Sequence, residues 1–600
     1  MKTKKSKKDK KEINNIVLIE PQCRQGHVYS MVTMPRLGLP ILGTQLEAEG
    51  YNVDLYLGRT DNLSWEKILQ ADLIGISLTS STSREGYLMA DFLRSHGKTV
   101  VIGGIHATFL PDEALDHADY VVRGEADFTF LQLVRAVSEG EEHIDLPGIS
   151  YHKANQEVIH NPLSTEIVDV NDLPIPDLSL FRQKKLDAIP VMTSRGCPYN
   201  CTFCSVTKMF GHQYRFRSKE LVLRELSQYQ GKNVFFCDDN FTADIERSKD
   251  LLYSMLDQDI RLKEWYAQVR VEASRDEELV KLMKKAGCQT VFIGLESINP
   301  ATLKAYNKHQ TVEDIKECVR LFHDQKIKVH GMFVLGGDDD TVETVRETVD
   351  FALEARVDSV QFMILTPLPG TPLFENLEKE GRILTKDWEL YDGHHVVHQP
   401  AKMSPETLQV EVTKAFERFY SIRNIFKNHF LTGYQSSFYR MMGWWLTRRF
   451  ISQSRGYKKE LAYTLKKDEG YLPAFYRRIK GLKDGVLELK TGEHPLCISI
   501  SEQQGVLCVK IHGFLNTLDY KKLKRTCMKL LPRKSFHVII NASDLRISSD
   551  KAAKKLAKMF SRFNKRVRRF QLVLPRDSKE RSIITKYFER VPSLEMISSG

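Results

Sequence analysis

The stretch Thr193-Ser-Arg-Gly-Cys197-Pro-Tyr-Asn-Cys201-Thr-Phe-Cys204 places three of the chain's ten cysteines within eight residues. It follows directly on a short apolar segment, Ile189–Thr193, that reads as a strand. Gly196, Pro198 and Asn200 keep the loop irregular and open. Closely spaced thiolates on one loop are suited to an iron–sulfur cluster. Three thiolates serve three irons of a 4Fe-4S cluster and leave the fourth iron open for a further ligand. Zinc is the competing reading, but it usually takes four donors in paired Cys-x-x-Cys spacing. No second pair lies near.

Outward from this loop the chain keeps a strand–helix rhythm. Val234–Cys237, Trp265–Val269, Thr290–Leu295, Lys328–Leu335 and Ser359–Leu365 are further strands, each separated from the next by a helical stretch. With Ile189–Thr193 they make six, which predicts a partial (β/α)6 barrel of TIM type over residues 188–400. Its chemistry belongs on the loops at the strand carboxyl ends. Upstream, Ile16–Ile19, Val53–Tyr56, Leu73–Leu78, Thr99–Ile102 and Tyr120–Val122 alternate with helical stretches such as Leu37–Glu49. That pattern predicts a Rossmann-like, doubly wound parallel sheet over residues 16–150. Ligands on such sheets lie beyond the strand carboxyl ends. There stand Ser77, Thr79, Ser80 and Ser81, then Gly103-Gly104, then Gly124-Glu125. Pro162, Pro174 and Pro176 mark residues 151–187 as a linker.

The cysteine motif, Cys197-x-x-x-Cys201-x-Phe203-Cys204, resembles the signature of the radical S-adenosylmethionine (SAM) superfamily, and the partial barrel agrees with it. The resemblance implies that Cys197, Cys201 and Cys204 hold a 4Fe-4S cluster and that Phe203 belongs to the SAM site. Other positions resemble the superfamily's motifs strand by strand. Asp238-Asp239-Asn240 stands where a motif meets the methionine amino group. Arg270 ends the third strand, where a polar group often meets the SAM carboxylate. Gly294-Leu-Glu296-Ser297 is similar to the motif near the SAM ribose and carboxylate. Gly336-Gly337 falls where the adenine is usually cradled. Taken singly, Glu296 and Arg270 also read as salt-bridge residues of a barrel mouth. None of these residues is assigned a catalytic role.

The first domain gains meaning from the same comparison. Gly103-Gly104-Ile-His106 and Val-Val-Arg-Gly124-Glu125 resemble the cobalamin-binding domain that precedes many radical SAM barrels. This implies cobalamin contacts from Ser77, Thr79, Ser80, Gly103, Gly104, His106, Gly124 and Glu125. One departure matters. The Asp-x-His-x-x-Gly motif that gives cobalt an axial histidine is absent, and the loop reads Glu20-Pro-Gln-Cys23-Arg-Gln-Gly26-His27. Either cobalamin binds without a histidine ligand, or the fold is kept without the cofactor. His106 reads as a hydrogen-bonded structural histidine rather than a cobalt ligand.

Length and composition bound the rest. The chain has 600 residues, enough for roughly four domains. Apolar residues make up 42% and charged residues 28%, which argues against global disorder. No uninterrupted apolar run is long enough to span a membrane. The first eleven residues hold seven Lys with no apolar core behind them, so residues 1–15 read as a solvated basic tail rather than a leader. Ten cysteines are too sparse for a disulfide scaffold, and a reducing, cytoplasmic compartment is expected.

The formal charge of +11 is unevenly spread. Residues 421–480 hold 13 Lys and Arg against three acidic residues, a net of +10, together with 13 aromatics. Within the helical extension 401–490, this mixture suits a membrane interface or nucleic acid; a plain helical domain with a small aromatic core also accounts for it. A peripheral contact at the inner face of the membrane is expected, with no nucleic acid as partner. Residues 491–600 form a small α/β unit. Its strands are Cys497–Ile500, Val506–Ile511, Phe536–Ile540 and Phe570–Leu574, and its helices Tyr520–Leu531 and Lys551–Phe563. With the loop Asn541-Ala-Ser-Asp544 it resembles a STAS domain, which implies binding of a partner or a small anion.

The radical SAM resemblance implies reductive cleavage of SAM to methionine and a 5′-deoxyadenosyl radical, with an electron from a reductant such as flavodoxin or ferredoxin. With cobalamin beside it, methyl transfer to an unactivated carbon is the expected outcome. Without it, the substrate radical couples, cyclises or is oxidised. The basic aromatic segment favours an amphiphile, a lipid or isoprenoid-like molecule, as the small-molecule substrate. Two other readings lead to different expectations. An RNA-modifying methylthiotransferase would carry a second cysteine cluster, but only Cys23 lies in residues 1–196. A non-catalytic cobalamin or redox sensor with STAS output would not need the full set of SAM motifs.

Overall fold

The structure, a computed structural model, describes residues 13–23 and 33–432 apart from 61, 142, 154 and 183–185, then 437, 440–449 and 451, and in the C-terminal part 556–557 and the strands given below. The chain divides into two compact units, Met1–Ala462 and Tyr463–Gly600.

The first sheet of the larger unit has seven strands: β1 (Asn15–Pro21), β2 (Asn52–Gly58), β3 (Leu73–Ser77), β4 (Thr99–Gly103), β5 (Tyr120–Val122), β6 (Ile149–His152) and β7 (Val158–His160), in the order β2-β1-β3-β4-β5-β6-β7. The first five run parallel, and β6 and β7 add antiparallel. The central strands are apolar at successive positions because both faces are covered. Ile16 and Leu18 pack with Leu42, Leu46, Leu133 and Val134, from helices Gly38–Ala48 and Thr129–Glu139. Val17 and Ile19 face the opposite core, with Met89 and Leu93 of helix Ser83–Ser95. The sheet therefore runs through His160, ten residues past the boundary read from sequence. Strands as short as Ile149–His152 and Val158–His160 carry too few alternations to stand out against a Pro-marked stretch.

The second sheet is a partial barrel. Its strands are β8 (Ile189–Val191), then, beyond the short pair β9 (Ser194–Arg195) and β10 (Arg215–Phe216), β11 (Asn233–Phe236), β12 (Glu264–Val269), β13 (Cys288–Glu296), β14 (Lys328–Leu335) and β15 (Ser359–Ile364). They stand in the order β15-β14-β13-β12-β11-β8, all parallel. Alternation sorts the side chains. Trp265, Ala267 and Val269 of β12 join the core under the outer helices, while Tyr266 and Gln268 between them are only half-buried. The open edge is extended by the chain itself, where the Ile364 amide donates to the Gly393 carbonyl at 2.7 Å.

The helical extension is described in part. Helices Pro405–Phe419 and Ile422–Thr432 are followed by residues 440–449, also helical. Arg440 is buried and donates to the carbonyls of Asp358 (3.0 Å) and Val357 (2.5 Å), with its guanidinium 4.5 Å from the centre of the Phe419 ring. Burial pushes its pKa down to about 10. Trp444 packs on the barrel core and Trp445 is exposed. Residues 452–480 lie outside the described residues.

The smaller unit contains one sheet of seven strands: β16 (Gly485–Leu489), β17 (Leu496–Gln503), β18 (Val506–Leu515), β19 (His537–Asn541), β20 (Leu545–Ile547), β21 (Arg569–Val573) and β22 (Leu594–Ile597). An antiparallel meander, β16 to β18, leads into the parallel strands β19, β21 and β22, and β20 pairs with β18. The helices expected at Tyr520–Leu531 and Lys551–Phe563 lie outside the described residues, except that 556–557 are helical. Among the described residues, no helix is long and apolar enough to cross a membrane.

Candidate functional site

The cysteine loop leaves the barrel after β8 and is tied down on three sides. Asp238, fully buried after β11, accepts through Oδ1 from the Thr193 amide (3.0 Å), the Thr193 hydroxyl (3.1 Å) and the amide and hydroxyl of Ser194. Arg247 donates to the Thr193 carbonyl at 2.6 Å. Further along, Asn307 Nδ2 donates to the Asn200 carbonyl at 2.9 Å, and the Thr202 hydroxyl donates to the Ala305 carbonyl at 3.1 Å. Arg270 lies 3.8 Å over the ring of Tyr199, inside the loop, and is held by Glu272 at 2.8 Å.

These ties leave Cys201 buried and Cys197 and Cys204 half-buried. Burial raises the Cys197 thiol pKa and pushes that of Cys204 up to about 12. Both also feel the charge of Cys201 and of Asp239, so the three sulfurs share one electrostatic environment. Burial first, and the Asp238 charge second, push the Asp239 carboxyl up to about 6. Among the described residues, no three His, Cys, Asp or Glu side chains are gathered to hold a single metal ion. Cluster ligands need no such convergence, because each thiolate takes a different iron. Three thiols on one fastened, irregular loop fit that donor set.

The other barrel-mouth residues are arranged by partners that the sequence motifs do not reveal. Glu296 ends β13 in the left-handed region at φ 56°, a conformation that costs a non-glycine residue energy. Its carboxylate meets Lys308 Nζ at 2.8 Å, and both side chains are buried. Gly294 makes room for the pair, since a Cβ there would stand 2.4 Å from Glu296 Oε1 and 3.1 Å from Lys308 Nζ. Ser297 is buried and accepts from the Asn299 amide at 3.0 Å. The amides of Gly336 and Gly337 donate to Asp340 at 2.9 and 3.0 Å, and Asp340 takes the Thr302 hydroxyl at 2.7 Å. A Cβ on Gly337 would meet Tyr306 Oη at 2.8 Å. Tyr306 packs edge-on against Phe203 with ring centres 5.1 Å apart. Lys308, Tyr306 and Asp340 carry no spacing signal; only proximity to Glu296, Phe203 and Gly336 marks them.

Between the carboxyl ends of the first sheet and the cysteine loop lies a cavity of about 370 Å³. From the first sheet come Ser77, Gly103, Gly104, Gly124, Glu125 and Asp127, and from the barrel Ser194, Arg195, Cys237 and Asp239. It continues between Gly75, Leu18 and Phe130, where a Cβ on Gly75 would meet Leu18 Cδ2 at 2.7 Å. Gly104 has φ 93°, and a Cβ there would stand 2.6 Å from the Leu78 carbonyl oxygen. Gly103, Gly104 and Gly124 present bare backbone to the cavity, and such close backbone approach fits a bulky ligand such as cobalamin. Thr79, Ser80 and His106 do not line the cavity. His106 is 1% exposed, with Nδ1 3.1 Å from Ser80 Oγ and Nε2 3.3 Å from Glu113 Oε1. Its ring packs edge-on against Trp388 with centres 5.3 Å apart. Glu125 lines the cavity, but its carboxylate is held by Arg195 and Arg215. His27 lies outside the described residues.

Comparison with known proteins bears on both halves of this site. Residues 191–352 match the radical SAM superfamily and residues 30–134 match the B12 binding domain. An uncharacterized methyltransferase of Pyrococcus horikoshii is 34% identical over 422 residues, which span 66% of this chain and 91% of that protein. The bacteriochlorophyllide d C-12(1)-methyltransferase of Chlorobaculum tepidum is 29% identical over 425 residues, 68% of this chain and 88% of that one. In fold, the chain is similar to the cobalamin-dependent SAM radical enzyme OxsB, whose structure holds aqua-cobalamin and SAM. The TM-score is 0.55 at 18% identity, covering 76% of this chain and 72% of OxsB.

Proposed function

This chain belongs to the radical SAM family whose members carry a B12-binding domain ahead of the barrel, and on that premise we propose that it methylates an unactivated carbon of an amphiphilic, lipid or isoprenoid-like substrate. The family brings a 4Fe-4S cluster, SAM and cobalamin. The observation that carries the reading is the cavity shared by the two sheets, with glycine walls from one and Asp239 and the base of the cysteine loop from the other. The methyltransferase relatives span about two thirds of this chain and agree with it.

Cys197, Cys201 and Cys204 would hold the cluster, while Phe203, Asp238, Asp239, Arg270, Glu296, Ser297, Gly336 and Gly337 would form the SAM site. Within that set the roles divide. Asp238 shapes the loop from beneath and does not reach outward. Asp239 lines the cavity and lies within electrostatic reach of Cys197 and Cys204. Arg270 fixes Tyr199 and with it the middle of the cysteine motif. The Glu296–Lys308 and Asp340–Gly336 contacts hold the barrel mouth rigid, so that ligands bind to preorganised dipoles. Ser77, Gly103, Gly104 and Gly124 would surround cobalamin, with no histidine from the described residues turned toward it. The bound cofactors supply radical generation and a transferable methyl group; the protein positions them and excludes water. The electron comes from an external donor of flavodoxin or ferredoxin type.

An amphiphilic substrate agrees with the surface of the helical extension. Ile422, Phe426, Met441 and Trp445 are exposed, Phe426 at 65%. Arg423 and Lys427 stand beside the first two. Arg449 lies 5.8 Å over Trp445 and Arg448 4.4 Å over Trp444. Apolar side chains flanked by cations suit an anionic membrane, at about 1 kcal/mol per basic residue. The test is incubation of the reconstituted enzyme with SAM carrying a deuterated methyl group and a bacterial lipid extract. A labelled methyl in one lipid species supports the reading. Label confined to water-soluble products refutes the lipid substrate. Salt-sensitive co-sedimentation with anionic but not neutral liposomes, weakened in Phe426→Ser/Trp445→Ser, checks the membrane contact; no sedimentation at low salt refutes it.

A further inference from the structure

Two arginines of the barrel stand face to face. In the ladder of β9 and β10, Arg195 is the register partner of Arg215. Like charges directly opposite in a ladder repel and weaken it. Here Glu125, on the loop after β5, bridges the two, and Asp127 on the same loop pairs with Arg195. Arg195 Nη1 is 2.7 Å from both Glu125 Oε1 and Asp127 Oδ2, and its Nη2 is 3.0 Å from Asp127 Oδ1. Arg215 grips Glu125 through both Nη atoms at 2.9 Å and the Val168 carbonyl at 2.9 Å. All four side chains are 15% exposed or less. Forked pairs of this kind fix geometry as well as charge.

The network joins two places that matter. Arg195 precedes Cys197 by two residues, and Gly196 between them has φ 87°, with a Cβ position only 2.2 Å from the Gln213 carbonyl oxygen. The loop therefore turns sharply at the ladder and has little slack. Glu125 and Asp127 follow Gly124 on the loop after β5, and with Arg195 they wall the cavity. Without the carboxylates the two arginines would face each other unbalanced, and the base of the cysteine loop would open.

We propose that Arg195 and Arg215 are positioning residues that couple the two cofactor sites: the cysteine loop takes its shape only on the Gly124–Asp127 loop, so cobalamin in the cavity and the cluster on the loop bind cooperatively. The inference rests on cobalamin as the occupant of the cavity, and not on methyl transfer or the substrate. Coupling between sites is reciprocal and commonly amounts to 5–150-fold in affinity.

The experiment is titration of the full chain with hydroxocobalamin, followed by absorbance, with the cluster reconstituted and with iron omitted. In the wild type, the cluster should tighten cobalamin binding about tenfold, within that range. Asp127→Asn, which keeps shape and removes charge, should reduce the ratio to below about threefold. Arg84→Ala breaks an exposed contact between the same two domains, Arg84 with Glu389 at 3.0 Å, and should leave the ratio unchanged. Should Asp127→Asn not fold by circular dichroism, Arg215→Lys decides, since an ammonium cannot grip both Glu125 oxygens. A wild-type ratio near one, or an unchanged ratio in the deciding variant, overturns the coupling while leaving the cofactor assignment intact. Absence of cobalamin binding by the wild type overturns both.

Discussion

Replacing Lys308 by Met tests the barrel mouth most directly. The substitution keeps length and removes the one cation 2.8 Å from the Glu296 carboxylate. Glu296 is 6% exposed and Lys308 9%, so water does not replace the lost partner. Removing one member of a buried pair costs about 3–5 kcal/mol, because the other charge stays buried. At about 2–4 °C per kcal/mol for a domain of this size, the barrel transition should fall by roughly 6–20 °C. The assay is thermal melting of the cluster-free full chain at pH 7.5, followed by far-ultraviolet circular dichroism. The double variant Glu296→Gln/Lys308→Met removes both charges and should recover at least half of the loss, since neutral buried replacements often break even. A drop below about 2 °C for the single variant would mean that the pair is weakly coupled to stability. A double variant as unstable as the single one would show that volume or loop strain, not the stranded charge, is responsible.

Three further outcomes are expected. Changing Cys197, Cys201 and Cys204 together to Ala should abolish iron binding and 5′-deoxyadenosine formation; iron retained at the wild-type level refutes the ligand assignment. Cobalamin bound in the Co(II) state should give an electron paramagnetic resonance spectrum without splitting from a protein histidine nitrogen, because His106 is spent on Ser80 and Glu113; nitrogen splitting lost in His106→Ala or His27→Ala contradicts this. His330, buried inside the barrel, has its pKa pushed down to about 4 by burial alone. Unfolding lets it take a proton near its ordinary 6.5, so protonation favours the unfolded chain and stability falls as pH drops from about 6.5 to about 4. His330→Gln should flatten that acid limb in denaturant midpoints measured across the range, and an identical limb in the variant contradicts the assignment.

Some expectations were altered by burial rather than by chemistry. Trp444 and Trp445 are adjacent in the chain and both count among the aromatics of the basic segment. A helix sends neighbours about 100° apart, so Trp444 packs on the barrel while Trp445 meets solvent. Arg440 counts toward the basic surface by sequence, yet it hydrogen-bonds two carbonyls beneath the barrel. Phe426, in contrast, lies on an exposed face one turn from Ile422. Charge and aromatic content locate an interface only to within a helix; the helical phase against the core selects the face.

The division between sequence and tertiary structure follows the distance over which each signal acts. The cysteine motif, the strand at Lys328–Leu335 and the glycines at 103–104 and 336–337 are local patterns, and a chain read in one direction reveals them. The ladder of β9 and β10 already requires contact across twenty residues. Glu125 meets Arg195 and Arg215 across 70 and 90 residues, and Trp388 donates to Glu113 across 275. Such pairs leave no periodicity, because each partner is a single charged or polar side chain in an ordinary loop. Sequence alone therefore determined the barrel and its cofactor class, and it singled out Cys197, Cys201 and Cys204 as the proposed cluster ligands. Only the folded chain decided that Glu125 belongs to two arginines, that Lys308 neutralises Glu296, and that His106 turns away from the cavity. Buried charges must find partners wherever the fold delivers them, and that delivery is a property of three dimensions.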